Sequence, residues 1–178
     1  MPTHRCLTFV CAAFYVASAA SGSDTDPRSE ALGATSIPIE SAARRPVLDL
    51  RLSEHVRARF KEALSLALER LRTHPSCRAL FARLGADGAA KLNGAFYHPA
   101  TRGQEGRYCR PGVFALTTVG GSAVALCRRF GHLSGQQAAI ILIHEALHLA
   151  GQTENPVDPD APDSFAITRK VMKGCWLF

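Results

Sequence analysis

The chain has 178 residues, of which 47% are apolar and 20% are charged, enough for one domain with a hydrophobic core but short for two. Lys and Arg number 21 against 15 Asp and Glu, which gives a formal net charge of +6. The basic residues are scattered, without a continuous block or interleaved aromatic residues, and this pattern argues against nucleic-acid binding.

The N-terminal residues have the three parts of a secretory signal peptide. A basic start at residues 1–5 is followed by an apolar run at 6–16 and by small residues at 17–19 that suit a cleavage site. The apolar run is too short to cross a bilayer, and no later segment is apolar enough to do so. We therefore expect residues 1–20 to be removed and the protein to be secreted, extracellular or periplasmic, without a membrane span.

The next segment separates this leader from the expected domain. Residues 21–46 are rich in Ser, Ala, Asp and Pro and show no sustained period, which predicts a disordered linker or a propeptide. The domain itself is expected over residues 47–178.

The first half of the domain is predicted to be helical and its middle to contain a hairpin. Apolar residues at helical spacing predict helices over about 53–72 and 77–84, and the glycines and proline of 94–108 predict a loop. Two β-prone runs, 112–118 and 122–127, predict an antiparallel hairpin. Its free edge would either bind an extended peptide by strand addition or simply cover the core, and the pattern does not separate the two.

A long apolar helix follows the hairpin. Ser134 and Gln137 have the spacing of a capping box, and Gly151 stands where a left-handed residue would end the helix, so we expect it to run from about 135 to 150. A helix places His144 and His148 one turn apart on the same face.

These two histidines and the glutamate between them have the pattern H-E-x-x-H. Two imidazoles at this spacing can bind one metal ion, with Glu145 beside it as a general base. A catalytic zinc takes three protein ligands, and we favour Glu154 as the third because Gly151 lets the chain turn back after the helix. The alternative ligands are Asp158, Asp160, Asp163, His98 and His132.

A hydrolytic site also needs a group that stabilises the oxyanion. No His or Tyr follows His148, so the candidates lie upstream and are Tyr97, His98 and Tyr108. Beyond the metal helix, a last helix is expected over about 163–173, with Phe165, Ile167, Val171 and Met172 facing the core.

Four cysteines remain once the signal peptide is removed, an even number that favours two disulfides in an exported protein. We predict Cys109–Cys127, which would brace the hairpin, and Cys77–Cys175, which would tie the C-terminal segment to an early helix. A four-cysteine zinc site is disfavoured because no C-x-x-C pair is present.

The pattern His144-Glu145-x-x-His148-x-x-Gly151-x-x-Glu154 resembles that of the zincin metallopeptidases, and its spacing is similar to the extended metzincin motif with a Glu where that group has His or Asp. The cysteine-flanked hairpin before it is similar to that of the deuterolysin-like secreted zinc endopeptidases, although their downstream Gly-Thr…Asp…Tyr-Gly motif is absent. The resemblance implies a zincin-like domain that binds one zinc ion.

The sequence therefore predicts a mainly helical α+β domain with a small antiparallel hairpin or sheet beside the metal helix. The predicted function is that of a secreted, monomeric zinc endopeptidase, in which a zinc-activated water attacks the peptide bonds of a peptide or protein substrate. The alternative is a non-enzymatic secreted module that binds metal or protein on the same scaffold. The presence of Glu145 favours the enzyme, since a binding module needs no general base.

Overall fold

The computed structural model of the protein describes residues 45–176. The described residues belong to one compact unit, and this unit contains every element below. The predicted signal peptide (1–20), and all but the last two residues of the predicted linker (21–46), lie outside the described residues.

The described part of the chain has an α+β fold of helices and short strands. In chain order the elements are β1 (Val47–Leu48), α1 (Glu54–Thr73), α2 (Pro75–Ala82), α3 (Gly88–Gly94), β2 (Phe96–Pro99), α4 (Arg102–Arg107), β3 (Ala115–Thr117), β4 (Ala123–Leu126), a 3₁₀ turn (Arg128–His132), α5 (Gly135–Leu149) and α6 (Ser164–Cys175). None of these helices is both long and apolar enough to cross a membrane.

The strands form one sheet in the order β1-β2-β4-β3. The predicted hairpin is confirmed as the antiparallel pair β3 and β4, with Leu116 opposite Ala125. The sheet as a whole is mixed rather than antiparallel, because β2 pairs with both β1 and β4 in parallel. Strand β3 therefore lies at an edge of the sheet.

Helix α5 is the central element of the core, and α1 packs along it. Both helices bury small residues, Ala63 and Ala67 on α1 and Ala138 and Ala146 on α5, which let two backbones approach closely. Because α5 is covered on nearly every side, its sequence is apolar almost all round. Polar side chains on such a helix need partners.

The prediction of a loop over 94–108 is wrong, because this segment contains β2 and α4. Gly94 ends α3 and Pro99 ends β2, so both stand at element boundaries, where these residues are tolerated. Thr101 caps α4 through a capping box with Gln104, which outweighs the two glycines inside that short helix.

The last helix is found where it was predicted, but two of the four residues predicted to face the core do not. Ile167, Val171 and Cys175 recur every four residues and form the buried stripe of α6. Phe165 and Met172 lie outside that stripe and are exposed.

Both predicted disulfides are present. Cys109–Cys127 links the segment before β3 to the residue after β4, and Cys77–Cys175 joins α2 to the end of α6. The second bridge is reinforced by the hydroxyl of Ser76, which donates to the carbonyl of Gly174 at 2.5 Å. The last helix is thus fastened to the first half of the domain.

Candidate metal centre

Helix α5 begins and ends where the sequence predicts. The hydroxyl of Ser134 accepts from the Gln137 amide at 3.2 Å, and the Gln137 side chain accepts from the Ser134 amide at 3.0 Å, so the capping box is complete. At the other end Gly151 has φ 101°, a conformation that a residue with a Cβ rarely adopts. The chain therefore turns back sharply just after His148.

Three side-chain atoms from this region converge. The Nε2 atoms of His144 and His148 lie 3.0 Å apart, and the Oε2 atom of Glu154 lies 3.9 Å from the first and 3.4 Å from the second. Ligands of a tetrahedral zinc with bonds of about 2.0–2.1 Å are separated by about 3.3 Å. The three distances bracket this value.

The hydrogen-bond partners of His148 determine which of its nitrogens carries a lone pair. Its Nδ1 atom lies 2.6 Å from the carbonyl oxygen of Gln152. A carbonyl can only accept, so Nδ1 carries the hydrogen and Nε2 presents a lone pair to the centre when the ring is neutral.

The same reasoning applies to His144. Its Nδ1 atom lies 3.0 Å from Oγ1 of Thr168 on α6, and the Thr168 hydroxyl donates to the carbonyl of Ser164 at 3.0 Å. Since the only hydroxyl hydrogen is used in that bond, Thr168 accepts from Nδ1–H. The Nε2 atom of His144 is thereby also left as a lone-pair atom.

The third atom of the group lacks a hydrogen-bond donor. Among the buried side-chain nitrogens and oxygens of the described residues, Oε2 of Glu154 is one of two without a hydrogen-bond partner. Two imidazole lone pairs and a carboxylate oxygen facing one another repel unless a cation lies between them. The donor set of two imidazoles and one carboxylate suits zinc.

The pKa values of the two histidines shift in opposite directions, so that His144 is kept neutral while His148 attracts a proton. Burial, followed by the neighbouring His148, lowers the pKa of His144 to about 4, against the effect of Glu154. Burial also opposes the charged form of His148, but the Glu154 carboxylate and the Gln152 carbonyl outweigh it and raise its pKa. When His148 is protonated, its Nε2–H can donate to the carboxylate, and this in turn lowers the pKa of Glu154. A metal ion would replace the proton that His148 attracts, and a neutral His144 is the form that binds a metal.

Glu145 lies beside the converging atoms and does not belong to the group. It is buried on α5 and lines the same cleft as the two histidines and Glu154. Burial raises its pKa to about 7; the nearby His148 opposes this shift and Glu154 adds to it.

The loop that carries Glu154 is held closed by hydrogen bonds. The Asp158 amide donates to the Glu154 carbonyl at 3.0 Å, and the Asn155 amide donates to the carbonyl of Pro162 at 3.1 Å. The Thr153 hydroxyl donates to the Asp158 carboxylate at 3.0 Å. These bonds on both sides of Glu154 hold its backbone close to His148.

The structure brings Glu154, and none of the alternative ligands, together with the two histidines. Asp158 supports the loop, and Asp163 caps α6 by accepting from the Ala166 amide. Asp160 and His132 are exposed, and the Nδ1 atom of His98 lies 2.9 Å from the carbonyl of Pro99.

The three atoms open into a cleft of about 390 Å³ between α5, α6 and strand β3. One wall is β3 together with the residues before it, and the opposite wall contains Ile141, Ser164 and Thr168. Tyr108 also lines this cleft, whereas Tyr97 and His98 are not among its lining residues. Tyr97 is fully buried and its hydroxyl donates to the carbonyl of Leu92 at 2.9 Å.

The hydrogen-bond register shows which backbone groups of β3 face the cleft side. The Cys127 amide donates to the Phe114 carbonyl at 3.0 Å, and Leu116 is paired with Ala125. Bonding pairs alternate along an antiparallel ladder, so the N–H and C=O groups of Ala115 and Thr117 point away from β4. These groups form the free edge of the sheet.

One other residue cluster and one larger groove in the described part of the chain are weaker candidates for a metal or catalytic site. Glu105, Cys109 and Cys127 also lie close together, but the two sulfurs are joined in a disulfide and present no thiolate to a metal. A larger open groove of about 780 Å³ lies between α1, α2 and α3. None of the candidate site residues lines it.

Sequence reasoning missed the two groups that orient the histidines, Thr168 and the carbonyl of Gln152. Thr168 is 24 residues from His144, and no local pattern connects them. The helical turn from Ser164 to Thr168 offers a weak signal, because a Thr that donates to the carbonyl four residues earlier keeps a free lone pair.

Comparison with known proteins finds no family model, no curated protein and no solved structure that matches this chain. The fold and site define an α+β protein with a candidate metal centre of two histidines and one glutamate. The centre lies in a cleft beside the free edge of a sheet.

Proposed function

We propose that this protein is a zinc-dependent peptidase. The observation that carries the proposal is the convergence of one side-chain atom each from His144, His148 and Glu154. No hydrogen-bond donor satisfies the carboxylate oxygen of this group, and the carboxyl group of Glu145 lines the same cleft. A structural zinc site takes four protein ligands, whereas three ligands leave a position open for a reactant. The metal, when bound, supplies a positive charge that acidifies water and polarises a carbonyl group.

Glu145 is assigned as the general base. It takes a proton from the attacking water as the water oxygen adds to the scissile carbonyl carbon. It then delivers that proton to the nitrogen of the departing amine as the carbon–nitrogen bond breaks. The reaction consumes one water molecule and yields a carboxylate and an amine.

The edge of β3 is assigned as the site where the substrate backbone binds. The free N–H and C=O groups of Ala115 and Thr117 are the pattern that an extended peptide needs in order to add as a further strand. This arrangement favours a peptide over a small molecule as the substrate. Pairing along several residues favours cleavage within a chain, as in an endopeptidase.

The two disulfides are compatible with an oxidising compartment. Together with the expected signal peptide at 1–20, they favour a secreted enzyme. Mass spectrometry of the exported protein would give the first residue of the mature chain and so test the cleavage near residue 20.

The function is tested by measuring zinc content and peptide cleavage on the same purified protein. We expect one zinc per chain and cleavage of a mixed peptide library. Glu145→Gln should keep the zinc and abolish cleavage, because an amide cannot accept the proton. Glu69→Gln, an exposed change on α1, is the matched control and should retain both properties.

Two results would overturn the peptidase assignment. One is a purified protein without stoichiometric zinc, and the other is a Glu145→Gln variant that cleaves as well as the parent. A protein that binds zinc and cleaves nothing would instead be a metal-binding or protein-binding module on the same scaffold.

A further inference from the structure

A second cavity adjoins the candidate metal centre. It measures about 310 Å³ and shares Thr117, His148 and Glu154 with the main cleft. Its remaining walls are Thr118, Val119 and Val157. Two of the three candidate metal ligands, His148 and Glu154, therefore line both cavities.

The two valines are exposed although they are apolar. Val119 is 38% and Val157 is 77% accessible to solvent. They belong to different segments, the β3–β4 turn and the loop after Glu154, yet they line the same cavity. An apolar group placed between them would remove this surface from water, which is favourable.

The segments that carry Val119 and Val157 are each held by a backbone hydrogen bond to a candidate metal ligand. The Gly120 amide donates to the carbonyl of His148 at 2.8 Å, and the Asp158 amide donates to the carbonyl of Glu154 at 3.0 Å. Val119 and Val157 each immediately precede one of these donors. The cavity is thus built on the metal ligands themselves.

Strand β3 determines which part of a substrate reaches this cavity. The cavity lies at the end of β3 where Thr117 stands, and the main cleft extends past Phe114 at the other end. Antiparallel pairing is slightly more stable per residue than parallel pairing, so we expect an added peptide to run antiparallel to β3, with its N-terminal half at the Thr117 end. The cavity shares His148 and Glu154 with the candidate metal centre, so it lies within a short distance of the scissile bond. A strand advances about 3.3 Å per residue. The substrate side chain that enters the cavity therefore belongs to one of the two residues before the scissile bond.

We propose that Val119 and Val157 form a specificity pocket for an apolar side chain within the two residues that precede the scissile bond. This proposal rests on the proposed peptidase function. Acidic side chains are disfavoured there, because a carboxylate placed between Val119 and Val157 would lose its hydration without gaining a hydrogen-bond donor from either side chain. The substrate class is therefore peptides with an aliphatic side chain at one of the two residues before the cut.

The proposal is tested with peptide hydroxamates, which bind zinc through the hydroxamate and occupy only the N-terminal side of the site. The probes are acetylated dipeptide hydroxamates with Leu or Asp at either residue position, and affinity for the zinc-loaded protein is measured by calorimetry. At one of the two positions we expect Leu to bind at least about tenfold more tightly than Asp, since a filled apolar pocket discriminates by about 10- to 200-fold.

Substitutions at the pocket should remove this preference. In Val119→Asn and in Val157→Asn the Leu and Asp probes should bind with similar affinity, because a neutral amide removes the apolar wall and can hydrogen-bond to the Asp side chain. In Leu50→Asn, a change at an exposed apolar residue outside this cavity, the tenfold ratio should persist. The pocket assignment is wrong if the unmodified protein shows no preference at either position, or if both pocket variants keep it.

Hydroxamate binding tests the pocket separately from the proposed peptidase function. If the probes bind with the expected preference and no peptide is cleaved, the peptidase assignment fails, and Val119 and Val157 form an apolar binding pocket beside the zinc without a role in cleavage. If peptides are cleaved and the probes show no preference, the pocket alone fails. A protein that binds no zinc overturns both.

Discussion

The Nδ1 atom of His144 lies 3.0 Å from the Oγ1 atom of Thr168, a contact that joins helix α5 to the last helix α6. Because the hydroxyl hydrogen of Thr168 is used in the bond to the Ser164 carbonyl, the imidazole must donate. The contact therefore sets both the tautomer and the orientation of His144. Such groups contribute to metal affinity without touching the metal.

Removing this hydroxyl should weaken zinc binding. Thr168→Val keeps the shape of the side chain but cannot accept from His144, and we expect zinc affinity to fall about 10- to 100-fold, measured by competition with a chelator. Thr168→Ser should retain most of the affinity. Thr73→Val is the control, since Thr73 makes the same bond to the carbonyl four residues earlier. Equal affinities for Thr168→Val and the parent would contradict the assigned role.

Glu154 should couple zinc binding to stability. For the parent protein, zinc at about 100 times its dissociation constant should add about 2.7 kcal/mol to the free energy of unfolding, measured by urea titration with and without metal. Glu154→Gln removes the ligand charge and should lose most of this gain. Asp160→Asn removes one charge from the same loop, away from the converging atoms, and should keep it. A gain that survives Glu154→Gln would exclude Glu154 as a ligand.

The two tyrosines predicted to stabilise the oxyanion should now behave differently. Tyr108 lines the cleft, and Tyr108→Phe is expected to lower kcat/KM by about 100-fold, as for the loss of one oxyanion donor. Tyr97→Phe removes the buried bond to the Leu92 carbonyl and should cost about 1 kcal/mol of stability with little change in kcat/KM. Full activity in Tyr108→Phe would remove it from the mechanism.

If the substrate adds to β3 as a strand, its residues should differ alternately in their hydrogen bonding to the protein. Only every second residue of a bound peptide would bond to the N–H and C=O groups of Ala115 and Thr117. In a series of substrates each N-methylated at one residue, with the scissile amide left intact, kcat/KM should fall at alternate positions. A uniform effect along the peptide would argue against pairing with β3.

The two disulfides should differ in their contribution to stability. Cys77–Cys175 closes a loop with a sequence separation of 98, against 18 for Cys109–Cys127. Loop entropy estimates are about 4.7 kcal/mol for a loop of 100 residues and about 3 kcal/mol for a loop of 15. Replacing the first pair with alanines should therefore cost more in urea unfolding than replacing the second pair.

Local sequence patterns were sufficient for the elements whose signals lie close together in the chain. The capping residues Ser134 and Gln137 and the left-handed Gly151 predict the bounds of α5, because helix ends depend on contacts over a few residues. The same local logic failed at 94–108, where glycine and proline mark the ends of β2 and α3 as well as loops. Periodicity also overestimated the buried face of α6, since Phe165 is exposed.

The sequence by itself determined the metal helix, the spacing of His144 and His148 on it, and a cysteine pattern compatible with the observed bridges. Helical spacing is a property of the backbone, so these features need no knowledge of the rest of the fold. Only the tertiary structure decided that Glu154, rather than the other acidic residues of its loop, meets the histidines. It also placed Thr168 behind His144 and the edge of β3 along the cleft, because such contacts depend on packing between segments far apart in the chain.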